Sequence, residues 1–199
     1  VAHCAGHEKT ARKQNAWEKL SDKIEKLIKV SEDLGDGQSL NIIAPKKISS
    51  KHYIFDVWIQ QMGAGRDIEQ QVRRTIQIPG AKTLYFFART ITKAFGFYFD
   101  HCFGFYDNLA NIRDSTKAYE LFVDIGEEPL STHTRGVQNT KISEAFKMPG
   151  DKKLFLFDYG DNWHFIIELK EIIPQGKEKF KTTVLKSIGK APPQYPPCE

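Results

Sequence analysis

Phe157-Asp158-Tyr159-Gly160-Asp161-Asn162-Trp163-His164-Phe165 is the stretch on which the fold turns. Leu154-Phe155-Leu156 precedes it and Ile166-Ile167 follows, so two apolar runs flank a polar segment of turn-forming residues, the pattern of strand, turn and strand. Runs apolar at consecutive positions belong to strands covered on both faces, so this hairpin is expected at the centre of a sheet. Asp158 then ends a buried strand, where a carboxylate needs a turn amide, an arginine or a metal as partner. Two readings are open. Either Asp158 ties the turn together through backbone N–H groups, or Asp158, Asp161 and His164, with Trp163 beside them, face a pocket as ligands or acid–base groups.

Outward from the turn, Tyr53, Phe55, Val57 and Ile59 alternate in a first strand, and Gly63-Ala64-Gly65 breaks it before a second strand at residues 72–78, giving a hairpin with a long loop. Pro79-Gly80 turns the chain and Thr83 caps a helix over residues 83–95. Its buried stripe is Leu84, Phe87, Ala88, Ile91 and Phe95, and Gly96 stops it. Strand-like segments are expected at 97–106 and 119–125, then a polar loop over 126–139. A short helix at 142–146 with Thr140 as its cap leads into the last hairpin, 153–158 and 163–173. The closing Pro192-Pro193-Gln194-Tyr195-Pro196-Pro197 runs extended. Near the N-terminus, Trp17, Leu20, Ile24, Leu27, Ile28 and Leu34 recur at helical spacing, and residues 38–51 read as a linker. The expected architecture is α+β: a mainly antiparallel twisted sheet with a few packed helices over residues 52–199, preceded by an N-terminal helical arm and linker over 1–51.

Two further groups of residues join the candidates. Phe95 to Asp107 packs seven aromatics around Asp100-His101-Cys102; with no interleaved Lys or Arg, core packing is the better account of them. His101 alone could reach the Asp158/Asp161 turn, and Asp107 closes the stretch. Arg73 and Arg74 stand in an otherwise apolar strand whose alternation sends one inward, where Asp158 or Asp161 is an available partner; Arg74 is the one carried forward.

Composition removes other classes. The 199 residues, 40% hydrophobic and 12% aromatic, suffice for a core, while 29 Lys+Arg against 25 Asp+Glu leave a net charge of only +4, short of the excess expected of a protein whose main work is neutralising phosphates. The lysines between 170 and 190 read as a solvated face. Cys4, Cys102 and Cys198 are too few and scattered for a disulfide framework and fit free thiols in a reducing, cytoplasmic compartment. No apolar run has the length of a membrane span, and no phosphate-binding loop, nucleophile elbow, His-Glu-x-x-His or Cys-x-x-Cys is present.

Tyr53 through Ile59, Val72-Arg73-Arg74-Thr75-Ile76-Gln77-Ile78-Pro79-Gly80, Ala94-Phe95-Gly96-Phe97, Asp100-His101-Cys102-Phe103-Gly104-Phe105-Tyr106-Asp107 and Asp158-Tyr159-Gly160-Asp161-Asn162-Trp163, taken in order, resemble the plasmid pRiA4b ORF-3-like family over about residues 52–197. The chain departs from the resemblance at Val72, where many members have Trp, and at Gln194, where many carry acidic residues. The resemblance implies an α+β fold of uncharacterised function, with some members tied to transposon resolvases or joined to a repressor-type DNA-binding domain. The first expectation for function is a binding or regulatory module for an anionic or metal-associated ligand, held by Arg74, His101, Asp158 and Asp161. The alternatives are a metal-dependent hydrolase with a divalent ion among Asp158, Asp161, His101 and His164, and a nucleic-acid accessory protein linked to mobile DNA.

Overall fold

Tyr53, Phe55, Val57 and Ile59 are buried along β1 (His52–Met62), while Ile54, Asp56 and Trp58 between them stay half-exposed, as the two-residue period of a strand requires. In the computed structural model, residues 51–62, 66–67, 72–130, 133–174 and 181–195 are described. The amphipathic helix expected over residues 8–34 lies outside them, as does the 38–51 linker up to Lys51.

β1 pairs antiparallel with β2 (Arg66–Asp67), with β3 (Arg73–Pro79) and with β8 (Trp163–Ile173). β4 (Phe103–Tyr106), β5 (Ala118–Glu120), β6 (Thr134–Gly136), β7 (Lys152–Phe157) and β9 (Thr183–Ile188) complete one sheet in the order β6-β5-β4-β7-β8-β1-β3-β9, with β2 on β1. Every pairing is antiparallel except that of β5 with β6. The chain is therefore strand-dominated α+β with few helices. The 157–165 hairpin occupies the middle, Phe157 opposite Trp163. Phe155, Phe157, Phe165 and Ile167 face the main core, while Leu154, Leu156 and Ile166 face a second cluster with Tyr106 and Ala118.

Helix α1 (Leu84–Ala94) covers the main face. The Thr83 hydroxyl accepts from Phe86 N at 3.3 Å, and Phe87 sits fully buried with its ring centroid 4.6 Å from Phe55. Among the described residues no helix is long and apolar enough to cross a membrane.

Three local expectations need correction. Residues 97–102 are not strand: Phe97 and Phe99 pack inward against Trp163 and Phe157, and the Tyr98 amide donates to Gln194 Oε1 at 2.7 Å, so a side chain replaces a ladder partner. Residues 119–125 are strand only to Glu120. Because β4 starts at Phe103, the ladder runs out there and the chain winds into α2 (Leu121–Ile125), stopped by Gly126 at φ +80°. Thr140 does not cap α3 (Ile142–Ala145); its hydroxyl donates to Gly136 O at 2.6 Å, and the Ile142 and Ser143 amides bond the carbonyls of Lys82 and Gly80. Strand β9, within the lysine-bearing stretch, is exposed at every residue and carries no alternation that would reveal it.

Candidate functional site

Asp158 and Asn162 bracket the central turn with φ of +58° and +56°, a region where a short polar side chain is tolerated because it bonds local backbone. Asp158 Oδ1 accepts from the amides of Gly160 at 2.9 Å and Asp161 at 3.2 Å, and Asn162 N donates to Asp158 O at 2.6 Å. One carboxylate oxygen is thus spent on holding the turn. The other, Oδ2, lies 3.4 Å from His101 Nε2. His101 Nδ1 lies 2.9 Å from Asp100 Oδ1, and Asp100 receives Tyr195 Oη at 2.8 Å and Gln194 Nε2 at 3.2 Å. An imidazole with a carboxylate at each nitrogen is satisfied only when both nitrogens carry protons. The Asp100 bond and the charge of Asp158 accordingly raise its pKa against the effect of burial. Burial alone would raise Asp100, but the bonds from His101, Tyr195 and Gln194 hold it below the usual range. The arrangement ties the 97–102 segment, the turn and the closing residues together.

The other sequence candidates scatter. Asp161 is exposed and gives the turn its amide. Arg74 is the inward arginine, yet it meets no carboxylate: Nε donates to Ala94 O at 2.9 Å and a terminal nitrogen to the carbonyls of Arg73 and Ile188, both at 2.8 Å, with the Phe95 ring beneath it. One partner, Ala94 O, is a carbonyl that the end of α1 leaves open, and the others belong to β3 and to the end of β9. Trp163 is core, its ring against Phe97, with Nε1 unpartnered among the described residues. His164, one residue on, faces the opposite side of the sheet from Trp163, bonds Asn162 Oδ1 at 3.0 Å, and has its pKa lowered by burial. It therefore does not join His101. Among the described residues no group of three or more His, Cys, Asp or Glu could hold a metal ion.

Asp107 belongs to a different place, a pocket of about 800 Å³ between β5, β6, α3 and the start of β7. Five basic side chains, Lys117, Arg135, Lys147, Lys152 and Lys153, line it against the three carboxylates of Asp107, Glu144 and Asp151. Several of these charges are committed: Arg135 pairs with Glu144 at 2.9 Å, Lys147 Nζ donates to Ser143 O, and Asp151 Oδ2 takes the amides of Lys147 and Met148. Asp107 Oδ2 accepts from Thr116 Oγ1 at 2.6 Å, while Oδ1 has no partner among the described residues. Burial would raise Asp107, but that hydroxyl, the Lys117 amide and the charge of Lys153 hold it below the usual carboxylate range.

Lys153 stands apart. It is 4% exposed, and its side chain makes no hydrogen bond or ion pair among the described residues. Its ammonium lies 5.5 Å from the ring centroids of both Tyr119 and Phe146, and burial lowers its pKa despite Asp107 and Asp151 nearby. Sequence reasoning missed it, although the signal was there. In β7 alternation puts Lys153 on the row of Phe155 and Phe157, so a lysine opens the core-facing side of a central strand.

Residues 66–195, more than half of the chain and a span that includes both the His101 corner and the Lys153 pocket, match the sequence profile described as "Plasmid pRiA4b ORF-3-like protein". The chain belongs to the pRiA4b ORF-3-like family. No curated protein matches it. Among solved structures this pRiA4b ORF-3-like chain is similar to the protein of unknown function MM3350 from Methanosarcina mazei Go1, with a TM-score of 0.54 and 21% identity, over 71% of this chain and 72% of that one. At that identity the likeness concerns the fold alone.

Proposed function

We propose that the domain is a binding module for a small anionic ligand, seated in the pocket between β5, α3 and the start of β7 with its charge on Lys153 Nζ. The observation that carries this is Lys153 itself, 4% exposed and without a hydrogen-bonded or ionic partner on the wall of an 800 Å³ pocket. A buried ammonium held only by ring faces retains most of its desolvation cost, and an anion placed against it would offset that cost. The exposed Lys117 at the rim adds attraction without geometric demand, whereas Lys152 pairs with Glu168. Against the first sequence expectation, the ligand class is kept and the residues change: Arg74 is committed to backbone carbonyls of α1, β3 and β9 and His101 to two carboxylates, which leaves neither free to receive an anion.

Thermal unfolding of the full chain with inorganic phosphate, pyrophosphate and oxalate tests the proposal, since a ligand that binds only the folded state raises the midpoint. At least one anion should raise it for the natural chain and none for Lys153→Met. In the absence of anion, Lys153→Met should itself be at least as stable as the natural chain, because it keeps the packed stem and removes an unpaired buried charge. Absence of a shift with every anion at millimolar concentration would sink the proposal.

A further inference from the structure

We propose that Lys153 is a nucleophilic amine that captures an anionic carbonyl compound, an oxo acid or an aldehyde bearing a carboxylate or phosphate, as an imine. The inference rests on the anion pocket just described and adds the identity of the group that meets the lysine. Its basis is geometric. The side chain is 4% exposed on the wall of the pocket, no acceptor engages Nζ, and Tyr119 and Phe146 close round it with apolar ring surface. An amine desolvated in that way has its lone pair available to a larger extent than an exposed lysine does. Charged groups face it from several elements. Asp107 and Lys117, from the connection between β4 and β5, oppose each other in effect; Asp151, just before β7, favours the ammonium; and Glu144 of α3 is held by Arg135. Burial outweighs the two aspartates, and the pKa of Lys153 falls below the ordinary lysine value.

The chemistry balances without an oxidant or reductant. The neutral amine adds its electron pair to the carbonyl carbon while the carbonyl oxygen takes up a proton; the resulting carbinolamine then expels its hydroxyl as water, leaving a C=N bond to Nζ. Overall an ammonium and a carbonyl give an iminium and one water, with the positive charge conserved. The anionic tail of the ligand would lie toward Lys117 at the rim.

The test uses the full chain incubated at neutral pH with glyoxylate, or with propionaldehyde as an uncharged control, in the presence of cyanoborohydride, followed by intact mass measurement and peptide mapping. Glyoxylate should label Lys153 at least tenfold faster than any other lysine, propionaldehyde should show less preference, and Lys153→Arg should lose the fast adduct while still folding. The labelling rate should climb with pH through a midpoint below that of the exposed lysines. Adduct spread evenly over the lysines, or unchanged in Lys153→Arg, would overturn the inference. Oxalate separates the two levels, since it carries the charge but no electrophilic carbonyl. If oxalate, phosphate or pyrophosphate raises the unfolding midpoint and glyoxylate fails to label Lys153, the imine falls and the anion pocket stands; if none of the anions raises it and glyoxylate fails to label, both fall.

Discussion

His101 stands between two carboxylates, and that position makes stability depend on pH. A histidine whose pKa is raised on folding contributes stability that is fully present below its unfolded value, about 6.5, and is lost as pH rises through the higher folded value. The natural chain should therefore exceed His101→Gln in urea resistance at about pH 5.5, and the difference should shrink on going to about pH 8.5. A difference that stays constant across that range would remove the ion-pair account. Asp158 gives a companion expectation at the same corner. Its Oδ1 serves two turn amides, so Asp158→Ala should cost about 2 kcal/mol, and Asp158→Asn, which keeps an acceptor oxygen, clearly less. Equal losses by denaturant titration would mean that the charge and not the turn bond matters. Arg74 shows why one residue's role was hard to read from sequence. Alternation correctly turned it inward, but its acceptors lie at the end of a helix 20 residues away and on β9, and spacing does not reveal such partners.

Elements were legible in proportion to their own internal pattern. Helix α1 carries its period, its Thr83 cap and its Gly96 stop within one short stretch, so each was readable, and Thr83→Ala should lower stability by about 1 kcal/mol through the Phe86 amide alone. Phe87→Ala should cost about 3–5 kcal/mol, because the ring is fully enclosed between Phe55, Phe105 and Phe146. Calorimetric unfolding of the two variants would check the ratio, and comparable losses would contradict the packing described. Strand β6 was not legible, lying inside the expected 126–139 loop, and β5 was legible only as a strand that would run on to residue 125. Each is three residues long, and their ends are set by remote partners: the start of β4, and Asp124, whose Oδ2 takes the amides of Val137 and Gln138. Strand β4 illustrates a constraint that only assembly creates. A Cβ on Gly104 would lie 2.6 Å from Tyr106 Oη and 2.8 Å from Tyr159 Oη, the pair bonded at 2.7 Å above the buried Glu120. Nothing in Phe103-Gly104-Phe105 foretells that crowding.

At the scale of the molecule, the sheet order explains which parts of the candidate site were visible from the sequence. The central hairpin declared itself through consecutive apolar residues, and with it came Asp158 and its turn; the pocket did not, because its walls arrive from β5, β6, α3 and β7 and share no motif. The same order fixes where the fold is held most firmly. β8 is bonded to β7 on one side and β1 on the other, and Phe165, Ile166 and Ile167 bury both of its faces. β9 pairs with β3 at the end of the strand order, and all six of its residues are exposed. Amides on a strand bonded and covered on all sides exchange only when the whole domain unfolds, whereas an exposed edge opens locally at lower cost. Hydrogen exchange followed by mass spectrometry or NMR should accordingly find the amides of Ile166 and Ile167 among the slowest in the chain and those of residues 184–187 faster by orders of magnitude. Protection of β9 equal to that of β8 would show that its edge is covered in solution, and would turn the strand from a solvated margin into a contact surface.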